Sequence, residues 1–305
     1  MQTERKEKIK KLIDALSENL IDRKDIVQLA LLTMIAGENL ILIGPPGTAK
    51  SEIGRRMSQV IKDVDYYEYL LTKFTTPEEV FGPLSIKELK EGNFKRNTQG
   101  YLPTSNIVFL DEIFKANSAI LNSLLTIINE KVFHNGKEKE KAPLVSLIGA
   151  SNELPIGEDE LSALYDRFLI RKFVGYIPDE HIEKLFNINT ADFKLDEKLK
   201  FSLDEIKSLQ KQAQKISIPK QVVEVIKNIR VSIKDEFKEN SDESFSDRRL
   251  VKIQKLLKAS AFTNNRKEVN FSDIILLKHC LWNNPQNREK VGKIIIDEIE
   301  QAVKG

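Results

Sequence analysis

Five short apolar runs with little polar alternation mark the first part of the chain: NLILIG (39–44), YYEYLL (66–71), NIVFLDE (106–112), LVSLIGASN (144–152) and FLIRKFV (168–174). A strand with one wet face alternates, whereas a strand covered on both faces reads as continuous apolar sequence. Between the runs the period changes to that of a helix. In AKSEIGRRMSQVIKDV (49–64) it puts Ile53, Met57, Val60, Ile61 and Val64 on one face. Strands and helices in alternation predict an α/β fold, a parallel sheet flanked by helices.

Beyond about residue 180 only helical patterns remain, in LDEIKSLQKQAQKI (203–216), KQVVEVIKNIRVSIKDEF (220–237) and RRLVKIQKLLKASAF (248–262). The expected organisation is an α/β domain over 1–190, opened by an amphipathic helix, and an all-helical domain over 191–305. Two Gly/Asn turns, Gly92-Asn93 within 87–102 and Asn135-Gly136 within 131–145, predict hairpin insertions on the first domain. They read either as plain surface loops or as loops that face a substrate or a pore.

Composition adds mainly exclusions. Hydrophobic residues at 41% and charged residues at 31% describe a globular chain, and its longest apolar runs, such as LALLTMIAG (29–37), are too short to span a bilayer. The amino terminus lacks the apolar core of a secretory signal, so a cytoplasmic location is expected. Lys plus Arg exceed Asp plus Glu by only 48 − 46 = 2, which gives no strong field toward nucleic acid. Cys280 has no disulfide partner, and His134, His181 and His279 have no metal-ligand spacing, so all four read as structural or incidental.

Candidate chemistry gathers where the apolar runs end. GPPGTAKS (44–51) has the strand, Gly-rich turn and helix start of a phosphate-binding loop, with Lys50 to reach phosphates and Ser51 to ligate Mg²⁺. Ala49 stands where such loops usually carry Gly. At the first residue of a helix an Ala is harmless, and it is costly only if that position needs positive φ. Taken alone, the stretch is also readable as a Gly-Pro turn that happens to precede Lys-Ser.

Asp111 and Glu112 follow a buried strand, where open α/β sheets bind ligands. Asp111 suits Mg²⁺ and Glu112 suits a general base, although an ordinary polar turn is the plain alternative. Asn152, after another strand, could hold a water, or could simply form a turn. Arg167, with Arg171 nearby, reads alone as a surface charge. Ser246 reads as an N-cap that places Arg248 and Arg249 in the first turn of a helix, a poor position for cations unless an anion lies close by.

In order, GPPGTAKS, VFLDE, ASN, YDRF and SDRR resemble the Walker A, Walker B, sensor 1, arginine finger and sensor 2 elements of an AAA+ ATPase. The chain is more narrowly similar to the MoxR family and its RavA-like group, through Ala49, LTKFTTPEEVFGPLSI (71–86), LDEIFKAN (110–117), SDRR with ASAF (259–262), and ILLKHCLW (275–282). The resemblance implies a P-loop core with a helical lid, ATP/ADP and Mg²⁺ as ligands, and a homo-oligomeric ring, typically hexameric. The nucleotide would contact Gly44, Pro45, Pro46, Gly47, Thr48, Ala49, Lys50, Ser51 and Glu52, with Mg²⁺ on Ser51 and Asp111. Glu112, Asn152 and Arg248 would act on that nucleotide in cis, and Arg167 on the neighbour's in trans.

The resemblance also implies a chaperone-like role on a protein client, often with a von Willebrand factor A domain protein. RavA-like proteins carry a further carboxy-terminal extension, and this sequence ends soon after its helices, so the resemblance does not carry over a partner bound through that extension. A nucleic-acid motor, for which KRN (95–97) with Lys87 and Lys90 would supply a basic loop, and a nucleotide-gated scaffold with little turnover are the competing readings.

Overall fold

The computed structural model describes residues 2–155, 159–188, 192–238, 243 and 245–304, so the expected boundary at 190 and 191 lies outside the described residues. Among the described residues there are seven strands: β1 (Leu40–Ile43), β2 (Tyr66–Leu70), β3 (Ile107–Asp111), β4 (Val132–Asn135), β5 (Glu138–Lys141), β6 (Ser146–Ser151) and β7 (Ile170–Phe173). Five form one sheet in the order β2-β3-β6-β1-β7, and β4 pairs with β5 alone. Every pairing in the larger sheet is parallel. All five apolar runs supply one strand each to it. Central β1 and β6 are buried along their whole length, as the lack of alternation requires.

The helices of the first part are α1 (Gln2–Ser17), α2 (Lys24–Ala36), α3 (Lys50–Ser58), α4 (Pro77–Phe81), α5 (Ile86–Lys90), α6 (Ser118–Glu130), α7 (Asp159–Tyr165) and α8 (Ile182–Phe186). The periodicity carried α3 on to Val64, but it stops at Ser58. Val60 and Lys62 instead exchange backbone hydrogen bonds with Phe201, and Ile61 bridges to the same residue. Tertiary pairing outweighs helical period there, and Val60 and Ile61 stay buried.

The insertions differ from expectation in one of two cases. Gly92-Asn93 turns no two-stranded hairpin: α5 ends at Lys90, with Gly92 at positive φ just past its end, and the insertion is closed by a single antiparallel bridge between Leu84 and Arg96. β4 and β5 do form one, but its turn is shifted by a residue. Asn135 pairs with Glu138, which leaves Gly136 (φ +63°) and Lys137 as the central pair, and a Gly with positive φ suits the first central position. Asn135 is thereby freed to bind the other insertion: its side chain accepts from Arg96 N at 2.6 Å and donates to Arg96 O at 3.0 Å. Lys95 and Glu138 add an ion pair at 2.8 Å. The two insertions form one unit.

The remaining helices are α9 (Leu203–Ala213), α10 (Lys220–Glu236), α11 (Asp247–Thr263), α12 (Phe271–Ile274) and α13 (Arg288–Lys304). Ser202 with Glu205 forms a capping box on α9, and the Ser246 side chain caps α11 as the sequence predicts. α10 packs on α13, while α11 packs on α9 and on α2 of the first part. Ile253, Leu256 and Leu257 of α11 are fully buried, each worth about 1.5–3 kcal/mol of transfer energy. Charges reinforce this seam. Buried Glu38, just after α2, pairs with Lys252 at 3.4 Å and Lys255 at 2.9 Å. Lys131 lies near this group, and burial pushes its amine down to about 8. Cys280 is also buried, which raises its thiol to about 12 and makes it a packing residue.

Candidate functional site

Strand order explains the site. β3, β6 and β1 are neighbours, so the residues that follow each of them emerge side by side at the carboxyl ends of the strands. Pro46, Gly47, Thr48, Ala49, Lys50, Ser51, Glu52, Asp111, Glu112 and Asn152 line one cavity of about 400 Å³. Gly44 and Pro45 precede the lining residues, and the carbonyl of each accepts a 2.7 Å hydrogen bond from Lys50 Nζ. Any residue but Gly at 44 would drive a Cβ to 2.1 Å from the Val174 carbonyl oxygen. The loop therefore lies tight against the residue after β7.

The polar groups converge. Lys50 Nζ lies 3.4 Å from Asn152 Oδ1, and Ser51 Oγ lies 3.4 Å from Asp111 Oδ2. Burial holds Lys50 below its ordinary pKa, and the charges of Asp111 and Glu112 oppose that shift. Asp111 Oδ1 accepts from the Glu112 amide at 3.0 Å, which leaves Oδ2 toward Ser51. A hydroxyl and a carboxylate oxygen at this separation form a hard-oxygen pair that fits Mg²⁺ with water completing the shell. Glu112 is buried, sits at φ +52°, and pairs with Lys115 at 3.3 Å. A non-Gly residue held in the left-handed region costs roughly 1–3 kcal/mol, which the surrounding packing must offset. The Glu52 carboxylate, expected at the nucleotide, is engaged by Arg56 at 2.7 Å and Arg55 at 3.6 Å.

Ala49 is not the first residue of a regular helix. It is the N-cap of α3 at φ +66°, ψ +22°, the condition under which its methyl is costly. Replacing it with Gly removes a strain of roughly 1–2 kcal/mol, partly offset by the greater freedom of Gly in the unfolded chain. Ala49→Gly is expected to raise stability by about 0.5–1 kcal/mol in urea unfolding. An unchanged or lower midpoint would show that the loop relaxes around the methyl.

The two arginines lie elsewhere. Arg167 precedes β7, and Lys252 Nζ of α11 donates to its carbonyl at 3.0 Å. Burial lowers the pKa of Arg167, and the nearby Arg248 cation lowers it further. Both arginines are therefore at the amino ends of the strands, beside Glu38. The loop is at the other end, past the whole of β1, roughly 20 Å of extended chain from Glu38 to Gly44. Arg248 cannot act on the phosphates held by its own loop, and the cis expectation is corrected: α11 packs on α2, and that carries SDRR to the far end of the sheet. Arg249 is buried and pairs with Asp166. Arg171 is fully buried, donating to the Trp282 carbonyl at 2.6 Å, and is a structural clamp.

Sequence reasoning missed Arg23, buried between α1 and α2, which donates to Thr48 O at 3.2 Å and Gly175 O at 2.7 Å and so buttresses the loop. No local pattern marks it. It also missed Lys115, although its position three residues after Glu112 was a readable signal.

Residues 7–213 match the MoxR domain of MoxR-vWA-β-propeller ternary systems, and residues 221–295 match an AAA lid domain. Two proteins of Methanocaldococcus jannaschii, the uncharacterized proteins MJ0079 and MJ0812, are 43% and 42% identical over 95% and 93% of this chain, each match spanning 74% of the relative. The structural protein ORF618 of Acidianus two-tailed virus is 26% identical over 96% of the chain and 52% of its own length. The crystal structure of a Cytophaga hutchinsonii protein described as a candidate ATPase superimposes with a TM-score of 0.75 at 20% identity, covering 98% of this chain and 95% of that one, which supports the fold alone. With the family match spanning more than half its length, the chain belongs to the MoxR family of AAA+ ATPases.

Proposed function

We propose that this protein hydrolyses ATP with Mg²⁺ in a ring of identical subunits, hexameric by resemblance, and uses turnover to remodel a partner protein together with a von Willebrand factor A domain protein. The observation that carries this is the division of the site: Lys50, Ser51, Asp111, Glu112 and Asn152 converge in one cavity, while Arg167 and Arg248 stand together at the opposite end of the sheet. A lone subunit cannot bring the two halves together. A neighbour can.

In this reading Lys50 neutralises the β- and γ-phosphates, and the loop amides at the start of α3 receive their oxygens. Ser51 and Asp111 hold Mg²⁺, which when bound neutralises developing phosphate charge. Glu112 accepts the proton of the attacking water, and Asn152 orients that water. Arg167, with Arg248 beside it, stabilises charge on the nucleotide of the adjoining subunit.

The protein-client role draws support from the joined insertions, which expose Ile86 at 73% and Phe94 at 69%, apolar groups that a partner protein would cover. The nucleic-acid reading draws less, because Arg96 and Lys95 are already paired with Glu78 and Glu138. No helix among the described residues is long and apolar enough to cross a membrane. The test is ATP turnover with Mg²⁺, measured with either a von Willebrand factor A domain protein from the same genome or duplex DNA. Several-fold stimulation by the protein is expected. Stimulation by DNA alone contradicts the client reading, and ATP binding without turnover leaves a scaffold.

A further inference from the structure

Asp166 holds two cations from different parts of the fold. Its Oδ1 accepts from Arg249 of α11 at 2.6 Å, and its Oδ2 faces Arg167 at 3.4 Å. Arg249 is itself fixed. Its side chain is 5% exposed, and it also donates to Asn283 Oδ1 at 3.0 Å. The same Asn283 oxygen accepts from the buried Arg171, and the Asn283 and Asn284 amides donate to buried Glu243 at 2.6 and 2.9 Å. Among the described residues, Asp166 is the only hydrogen-bond partner of the Arg167 guanidinium, and its Nε is buried without one. The orientation of Arg167 thus depends on a carboxylate whose own place is set by the helical region.

We propose that Asp166 and Arg249 are positioning residues that aim Arg167 at the neighbouring subunit's nucleotide, so that the seating of the helical lid in one subunit controls hydrolysis in the next. This rests on the reading that Arg167 acts in trans. Neither residue touches the nucleotide of its own subunit, because both lie with Arg167 at the amino ends of the strands. A misaimed charge loses most of its value to a transition state, since displacement by about 1 Å can cost on the order of 10²-fold. A mere staple between lid and core would behave differently: its loss would lower stability and affect every function of the same subunit.

Subunit mixing separates the two. Asp166→Asn keeps hydrogen-bonding capacity, and Arg249→Lys keeps the cation, so the second serves if thermal melting shows the first unfolded. In assembled protein each variant is expected to lower kcat, Asp166→Asn by about 10- to 100-fold, with ATP affinity within about twofold of the parent. Each is then mixed in equal amounts with Glu112→Gln subunits, which have an intact Arg167 but no base. One interface in four then joins a working base to a well-aimed arginine, and activity is expected to rise toward about a quarter of the parent rate.

Arg167→Ala mixed with Glu112→Gln is the reference. If the reference recovers and neither Asp166→Asn nor Arg249→Lys does, or if both keep the parent kcat, the positioning role is overturned while trans action stands. If the reference itself fails to recover, trans action is wrong and the positioning role goes with it.

Discussion

Glu112→Gln leaves ATP bound and removes its turnover. The amide is nearly the same size and can still accept a hydrogen bond from Lys115, now 3.3 Å from the carboxylate, so the local backbone at φ +52° has no reason to rearrange. It cannot accept a proton. Loss of a positioned general base is expected to lower kcat by about 10²- to 10⁴-fold, with nucleotide affinity nearly unchanged. Phosphate release under single-turnover conditions, paired with equilibrium binding of a fluorescent ATP analogue, reads both quantities. Parent-like turnover in the variant would move the base elsewhere, and lost binding would mean that Glu112 shapes the loop.

Arg167→Ala is expected to cost more in kcat, about 10³- to 10⁵-fold, the usual contribution of an arginine supplied from outside a subunit. Its signature is again selective. Arg167 is separated from its own loop by the length of β1, so binding of the nucleotide by one subunit should barely change. A variant that lost ATP affinity at full kcat would place this arginine at its own subunit's nucleotide, against the separation set by β1.

Much of this site was legible because its chemistry sits at the ends of apolar runs. IVFLDE and LVSLIGASN each spell a buried strand that stops in a polar group, and in a parallel sheet such stops share one edge. The sequence alone therefore places Lys50, Ser51, Asp111, Glu112 and Asn152 together. What stayed hidden depends on contacts between distant segments. The period of 49–64 gave no hint that Phe201 would capture Val60 and Lys62 and end α3 at Ser58. Asn135 read as a turn residue, yet it became the buried link between the insertions, because the turn moved one residue along. Ala49 was misjudged for a local reason: its backbone falls in the left-handed region just before the helix.

Arg248 departs furthest from the sequence-based expectation. A capped helix with two leading arginines was correctly read from SDRR, including the oddity of cations in the first turn. Part of that oddity is resolved within the chain, since Asp166 compensates Arg249. Where the helix docks was not readable. Packing of α11 on α2, reinforced by Glu38 with Lys252 and Lys255, sends Arg248 to the amino ends of the strands, away from the loop of its own subunit, and only the proposed ring would set it near a nucleotide.

A site completed only by a second copy of the chain must fail when the copies are separated by dilution. ATP turnover per subunit, followed across a dilution series with sedimentation to report assembly, should collapse as the oligomer dissociates, down to the level of undiluted Arg167→Ala. Constant turnover per subunit at concentrations where sedimentation finds only monomers would contradict it.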